Sequence, residues 1–82
     1  MSILAVYSDS TKRYIDFFSS KLEEAGFSVI KMNYTEANNT YSLNISSTPV
    51  FYIIKSEIPS YSIGGIQNLD TVINWAKESN IL

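Results

Sequence analysis

Residues 7–15 read YSDSTKRYI and gather much of the reactive chemistry in the chain. Ser8, Ser10 and Thr11 supply hydroxyls, Asp9 and nearby Asp16 supply carboxylates, and Lys12 with Arg13 supplies two adjacent cations. Two carboxylates can divide acid and base work when burial separates their pKa values. Nothing around Asp9 or Asp16 predicts such burial. Asp9 therefore reads better as a helix cap, and Asp16 as a first-turn partner of a helix dipole. Adjacent cations at a helix start could hold an anion together with free backbone N–H groups, or simply stand in water at small cost.

What is missing narrows the chemistry further. The chain contains no cysteine, which removes disulfides, thiolate nucleophiles and thiolate metal ligands. It contains no histidine, the commonest general base and metal ligand. Catalysis would have to rest on carboxylates, lysine, tyrosine or hydroxyls alone.

The elements that must position these residues follow from pattern. Eighty-two residues, 45% of them hydrophobic, suit one globular domain spanning 1–82. Residues 3–7 form a continuous apolar run, as in a strand covered on both faces. Ile15, Phe18, Leu22 and Ala25 then recur at helical spacing, and Gly26 suits the left-handed residue that closes a helix. Residues 27–32 resume as a strand. Residues 33–47 are rich in Asn, Thr and Ser, and predict at most a short helical turn over 37–43. Residues 50–54 give the strongest strand signal, 55–60 read as a turn, and 61–63 as a short strand closed by Gly64 and Gly65. Leu69, Val72, Ile73 and Ala76 mark a terminal helix, with Asn68 or Asp70 at its start and Trp75 beside the stripe. The predicted order is β-α-β, a loop or short helix, then β-β-α. The first two strands should be parallel and the last two antiparallel in a four-stranded mixed α/β sheet with helices on both sides.

This order, with several local signals, resembles the glutaredoxin branch of the thioredoxin fold. Val6-Tyr7-Ser8 matches the end of that family's first strand. At the family spacing, Lys12-Arg13-Tyr14-Ile15 falls on the C-P-Y-C positions, and Leu22-Glu23-Glu24-Ala25-Gly26 on its Leu-Glu-Glu-x-Gly helix end. Ser47-Thr48-Pro49 corresponds to the T-V-P loop, Gly64-Gly65 to the Gly-Gly pair, and Gln67-Asn68-Leu69 to the following D-D-L. The resemblance implies a cis peptide bond before Pro49. It also implies that the loops around 9–14, 47–49 and 64–67 converge on one side.

Against that family, Lys12 and Ile15 stand where both thiols would be, so dithiol chemistry is gone. The resemblance places a glutathione-contacting lysine near Asp9, where the charge is now reversed. It places a glutathione-contacting aspartate at Gln67 or Asn68. Glutathione is thus disfavoured as a ligand, and no cofactor is implied. The expectation is a redox-inactive protein that binds a protein partner through the former active-site face: Lys12, Arg13, Tyr14, Thr48, Pro49, Gly64, Gly65 and Gln67. Tyr14 should be exposed there, and Phe17 could extend the surface. The alternative is a binder of glutathione or another anion near Lys12, Arg13, Thr48 and Gly65.

A net charge of -2, with no basic cluster beyond Lys12-Arg13, argues against nucleic-acid binding. The longest apolar runs fall far short of the roughly 20 residues a membrane span needs. The expectation is a cytoplasmic protein, and a short, Asn- and Ser-rich redoxin relative without thiols would suit a phage or other mobile element.

Overall fold

The computed structural model describes residues 2–81. Its elements run β1 (Ser2–Tyr7), a 3-10 turn (Asp9–Thr11), α1 (Lys12–Glu24), β2 (Ser28–Asn33), α2 (Tyr34–Tyr41), β3 (Val50–Lys55), β4 (Ile58–Gly64) and α3 (Leu69–Asn80). The strands form one sheet in the order β2-β1-β3-β4. β1 pairs in parallel with β2 and antiparallel with β3, and β3 pairs antiparallel with β4. The paired strands β1 and β2, joined through α1, are parallel, and β3 and β4, joined by a tight turn, are antiparallel, as their connection lengths predict.

The apolar run in β1 has the burial its pattern predicts. Ile3, Leu4, Ala5 and Val6 are all fully buried, and the strand's alternation divides them between two cores. Ile3 and Ala5 pack with Ile15, Phe18 and Leu22 of α1, Phe51 and Ile53 of β3, and Val72 and Ala76 of α3. Leu4 and Val6 pack with Ala37 of α2, backed by Met32, Tyr41, Leu43, Ile45, Val50 and Tyr52. Each large aliphatic side chain buried this way contributes about 1.5–3 kcal/mol.

Gly26 closes α1 as its position predicts. Its φ is 99°, its N–H donates to Glu23 O at 3.0 Å, and the Phe27 N–H donates to Leu22 O at 3.0 Å. This is a Schellman ending, with Phe27 and Leu22 meeting in the core beneath it.

Two segments depart from the sequence expectation. The polar stretch after β2 forms a full helix from Tyr34 to Tyr41 rather than a turn over 37–43. The Asn33 side chain starts it by accepting from the Thr35 N–H at 2.9 Å. Beyond it, Asn38 Nδ2 donates to Ile45 O at 3.1 Å and Asn38 Oδ1 accepts from Ile45 N–H at 2.8 Å. One amide side chain thus satisfies a loop residue's backbone as a strand neighbour would.

The second departure concerns residues 55–60. Only Ser56 and Glu57 form the turn, with φ of 51° and 64°, between the paired residues Lys55 and Ile58. Two positive φ values are what a two-residue type I′ hairpin needs, here met without glycine. Pro59 lies inside β4, beside a register shift at Ile53/Ile54. β4 is an edge strand, where a missing N–H is tolerated.

Candidate functional site

The β1–α1 loop and the segment before β3 meet through hydroxyls. Thr11 Oγ1 donates to Thr48 Oγ1 at 3.0 Å, and Thr48 Oγ1 donates to Ser8 Oγ at 2.9 Å. Ser8 Oγ lies 3.1 Å from Ser10 Oγ, which extends the chain to the surface. The Ser8 N–H donates to Thr11 Oγ1 at 2.9 Å, and the Thr11 N–H donates to Ser8 O at 3.0 Å. Ser8 and Thr11 therefore stabilise the helix start that Asp9 was expected to cap. Asp9 opens the 3-10 turn instead, exposed and without a hydrogen bond to the described residues.

The third loop joins at the next residues. The Thr48–Pro49 peptide bond is cis, as the resemblance implies. Pro49 O accepts from the Gly65 N–H at 3.0 Å, and Gly65 has a φ of 80°. Tyr14 Oη donates to Gln67 O at 3.0 Å and accepts from the Gln67 N–H at 3.1 Å. Gln67 Nε2 turns back to Gly64 O at 3.1 Å. Asn68 caps α3, its Oδ1 accepting from the Thr71 N–H at 2.9 Å.

Thr48, Pro49, Gly64, Gly65, Gln67 and Tyr14 are thus brought together at one end of the sheet. Tyr14 is not the exposed contact that its loop position suggested. It is half-buried, stacked on Phe18 with ring centroids 4.1 Å apart, and its hydroxyl is fully engaged with one backbone residue. Tyr14 is a tie between α1 and the loop before α3. Phe17, the next residue's neighbour on the helix, is 54% exposed.

The two cations differ from each other. Lys12 Nζ sits 3.1 Å from Asp16 Oδ2 and 5.7 Å above the centre of the Tyr7 ring. Lys31 Nζ holds the other carboxylate oxygen of Asp16 at 3.1 Å. The hydrogen bond from Lys12, followed by that from Lys31, holds the Asp16 carboxyl below its ordinary pKa. All three side chains reach solvent, so these pairs add little stability. Arg13 is exposed and has no ion pair among the described residues.

Three open clefts surround this end of the sheet. One of about 410 Å³ lies among Ser8, Asp9, Ser10, Asn33, Tyr34 and Thr35. A second of about 210 Å³ is lined by Ser8, Tyr34, Ser46, Ser47 and Thr48. A third of about 220 Å³ includes Ser47, Pro49, Tyr52 and Gly64. No lysine or arginine lines any of the three. Lys12 and Arg13 therefore contribute to none of these clefts, two of which lie on the Tyr34 side of Ser8. Tyr34 walls two clefts, and it is absent from the site residues that the sequence predicts. Its signal was Asn33, a cap that places Tyr34 on a helix's first turn where β2 ends.

Among solved structures, the chain aligns with thioredoxin 1 from the thermophilic eubacterium Thermosipho africanus TCF52B, with a TM-score of 0.56 and 15% identity. The alignment covers 98% of this chain and 99% of that one. No protein-family model matches the sequence, and neither does any curated protein. The chain has the thioredoxin-like α/β fold, with a four-stranded mixed sheet and three α-helices. It lacks the cysteines on which dithiol exchange depends. Among the described residues, no helix is long and apolar enough to cross a membrane, and no group of three or more carboxylates could hold a metal ion.

Proposed function

We propose that this chain is a redox-inactive, glutaredoxin-like binding module that meets a protein partner with the face around Thr48 and Pro49. The glutaredoxin register is supported by the positions that replace the thiols. Lys12 is the first residue of α1, and Ile15 is fully buried, filling core volume where the second cysteine would stand. The observation that carries the binding reading is the set of ties around Pro49. Thr48 bonds to the first loop through Ser8 and Thr11, while Pro49 bonds to the third through Gly65. A surface ordered before contact loses less conformational entropy on binding. An extended segment of the partner would lie beside Thr48–Pro49, with no thiol exchange. The protein would act in the cytoplasm.

The anion-binding alternative has less support. Lys12 is already paired with Asp16, and the clefts beside Thr48 carry no cation. A site-specific photo-crosslinker at Ser47, compared with one at Glu23, tests the protein-binding reading in the cells that make this protein. Glu23 sits near the other end of α1, roughly 17 Å along the helix from its first residue. Discrete adducts from Ser47 and none from Glu23 are the expected result. Equal labelling from both positions, or adducts from Glu23 alone, would remove this face from consideration.

A further inference from the structure

We infer that the cleft between Asp9 and Tyr34 is a subsite for an arginine side chain of the partner, deepening the protein-binding reading on which it rests. The cleft's walls carry a carboxylate, an aromatic ring and hydroxyls, with no ammonium or guanidinium among them. The two carboxylates of this region have opposite circumstances. Both oxygens of Asp16 are occupied by lysines, whereas Asp9 is exposed and meets no cation or hydrogen-bond donor among the described residues. Asn33 Oδ1 is taken by the Thr35 N–H. Ser8 Oγ already accepts from Thr48 Oγ1 at 2.9 Å, so the acceptors turned to a ligand in this cleft are Asp9 and the exposed hydroxyls of Ser10 and Thr35.

Tyr34 supplies the second element. It is 42% exposed although it opens α2, and it borders both the Asp9 cleft and the cleft at Thr48. A guanidinium is planar and presents five donors. It can stack on an aromatic face while donating to a carboxylate and to hydroxyls. An anionic side chain would find no counter-charge here and would face Asp9. The chain's net charge of -2 favours the approach of a basic segment in the same sense.

The position fits the proposed docking mode. The cleft lined by Ser46, Ser47 and Thr48 shares Ser8 and Tyr34 with the Asp9 cleft, so the concave surface continues from Thr48 to Asp9. A segment lying along residues 46–49 could direct one side chain past Tyr34 toward Asp9. A long side chain with a terminal planar cation suits that reach.

The test is an amide NMR titration of the whole labelled protein with blocked pentapeptides Gly-Ser-X-Ser-Gly, where X is arginine, citrulline or glutamate. The arginine peptide should give saturable shifts at Asp9, Ser10, Tyr34 and Thr35, weakening as salt is raised. Citrulline, the uncharged near-isostere, should bind about five-fold more weakly, and Asp9→Asn should reduce arginine binding by about the same factor. Tyr34→Leu should cost about two- to five-fold. Each spectrum also reports whether its variant remains folded. Equal affinity for arginine and citrulline, or arginine binding unchanged by Asp9→Asn, would overturn the subsite. The amides of Ser47, Thr48 and Gly65 report the docking face separately. If all three peptides shift them equally, the face reading stands while the arginine subsite falls.

Discussion

Replacing Thr48 with valine removes the hydroxyl that joins the first loop to the segment before β3. Thr48 Oγ1 accepts from Thr11 at 3.0 Å and donates to Ser8 at 2.9 Å, so the substitution deletes two neutral hydrogen bonds. At about 0.5–1.5 kcal/mol each, the loss is bounded at about 1–3 kcal/mol. The lower part of that range applies, because Ser8 and Thr11 are half-buried and keep other partners. Ser8 Oγ retains Ser10 Oγ at 3.1 Å, and Thr11 Oγ1 retains the Ser8 N–H at 2.9 Å. Thr48→Val should therefore destabilise the fold by about 1–1.5 kcal/mol. In urea, with a slope of about 1 kcal/mol/M for a small domain, the midpoint should fall by roughly 1 M with the slope unchanged. Adding Thr11→Val tests the geometry itself, since residues in direct contact should show a coupling of at least about 0.5 kcal/mol. Strictly additive effects, or a midpoint unmoved by Thr48→Val, would refute the hydroxyl chain as the link between these loops.

Three further outcomes follow from other parts of the structure. Ser19 Oγ is buried on α1 without a hydrogen-bond partner among the described residues, so Ser19→Ala should stabilise by about 1 kcal/mol and raise the melting temperature by roughly 4–8 °C; a lower melting temperature would show that the hydroxyl is satisfied. The depressed Asp16 pKa means that its ion pairs favour folding above the unfolded carboxyl value of about 3.9, and that this contribution is lost as pH falls through the lower folded value. A carbon-detected titration should find the Asp16 midpoint below the ordinary range and rising in Lys12→Met; a midpoint insensitive to that change contradicts the pairing. Lys12→Cys with Ile15→Cys should form an internal disulfide on mild oxidation, and two thiols that stay reduced in a folded variant would discard the glutaredoxin register.

How much of this was legible in the sequence varied with the physical source of each feature. β1, α1, β3 and α3 could be read because burial imposes a run or a period on the residues themselves, as in Ile15, Phe18 and Leu22. α2 was largely hidden, because side-chain amides hold it in place: Asn33 at its start and Asn38 bridging to Ile45. The beginning of β4 was hidden by Pro59, whose penalty disappears at a sheet edge, and by a hairpin turn without glycine. At the site, the convergence of the loops around residues 9–14, 47–49 and 64–67 was implied by the family resemblance. The role of Tyr14 was not, since a tyrosine in a loop does not announce that its hydroxyl will meet a backbone 53 residues away. The clefts at Tyr34 depend on where β2 ends in space, which no local pattern encodes.

The central claim is that the face around Thr48 and Pro49 binds a partner without thiol chemistry. The most direct measurement is amide chemical-shift mapping of the labelled protein with a partner recovered through the Ser47 crosslink. The account predicts perturbations concentrated at residues 8–13, 47, 48 and 64–67, unchanged by reducing agents. Perturbations centred instead on the outer surface of α3 or on the Ser56–Glu57 turn, with residues 47–48 and 64–67 silent, would contradict it.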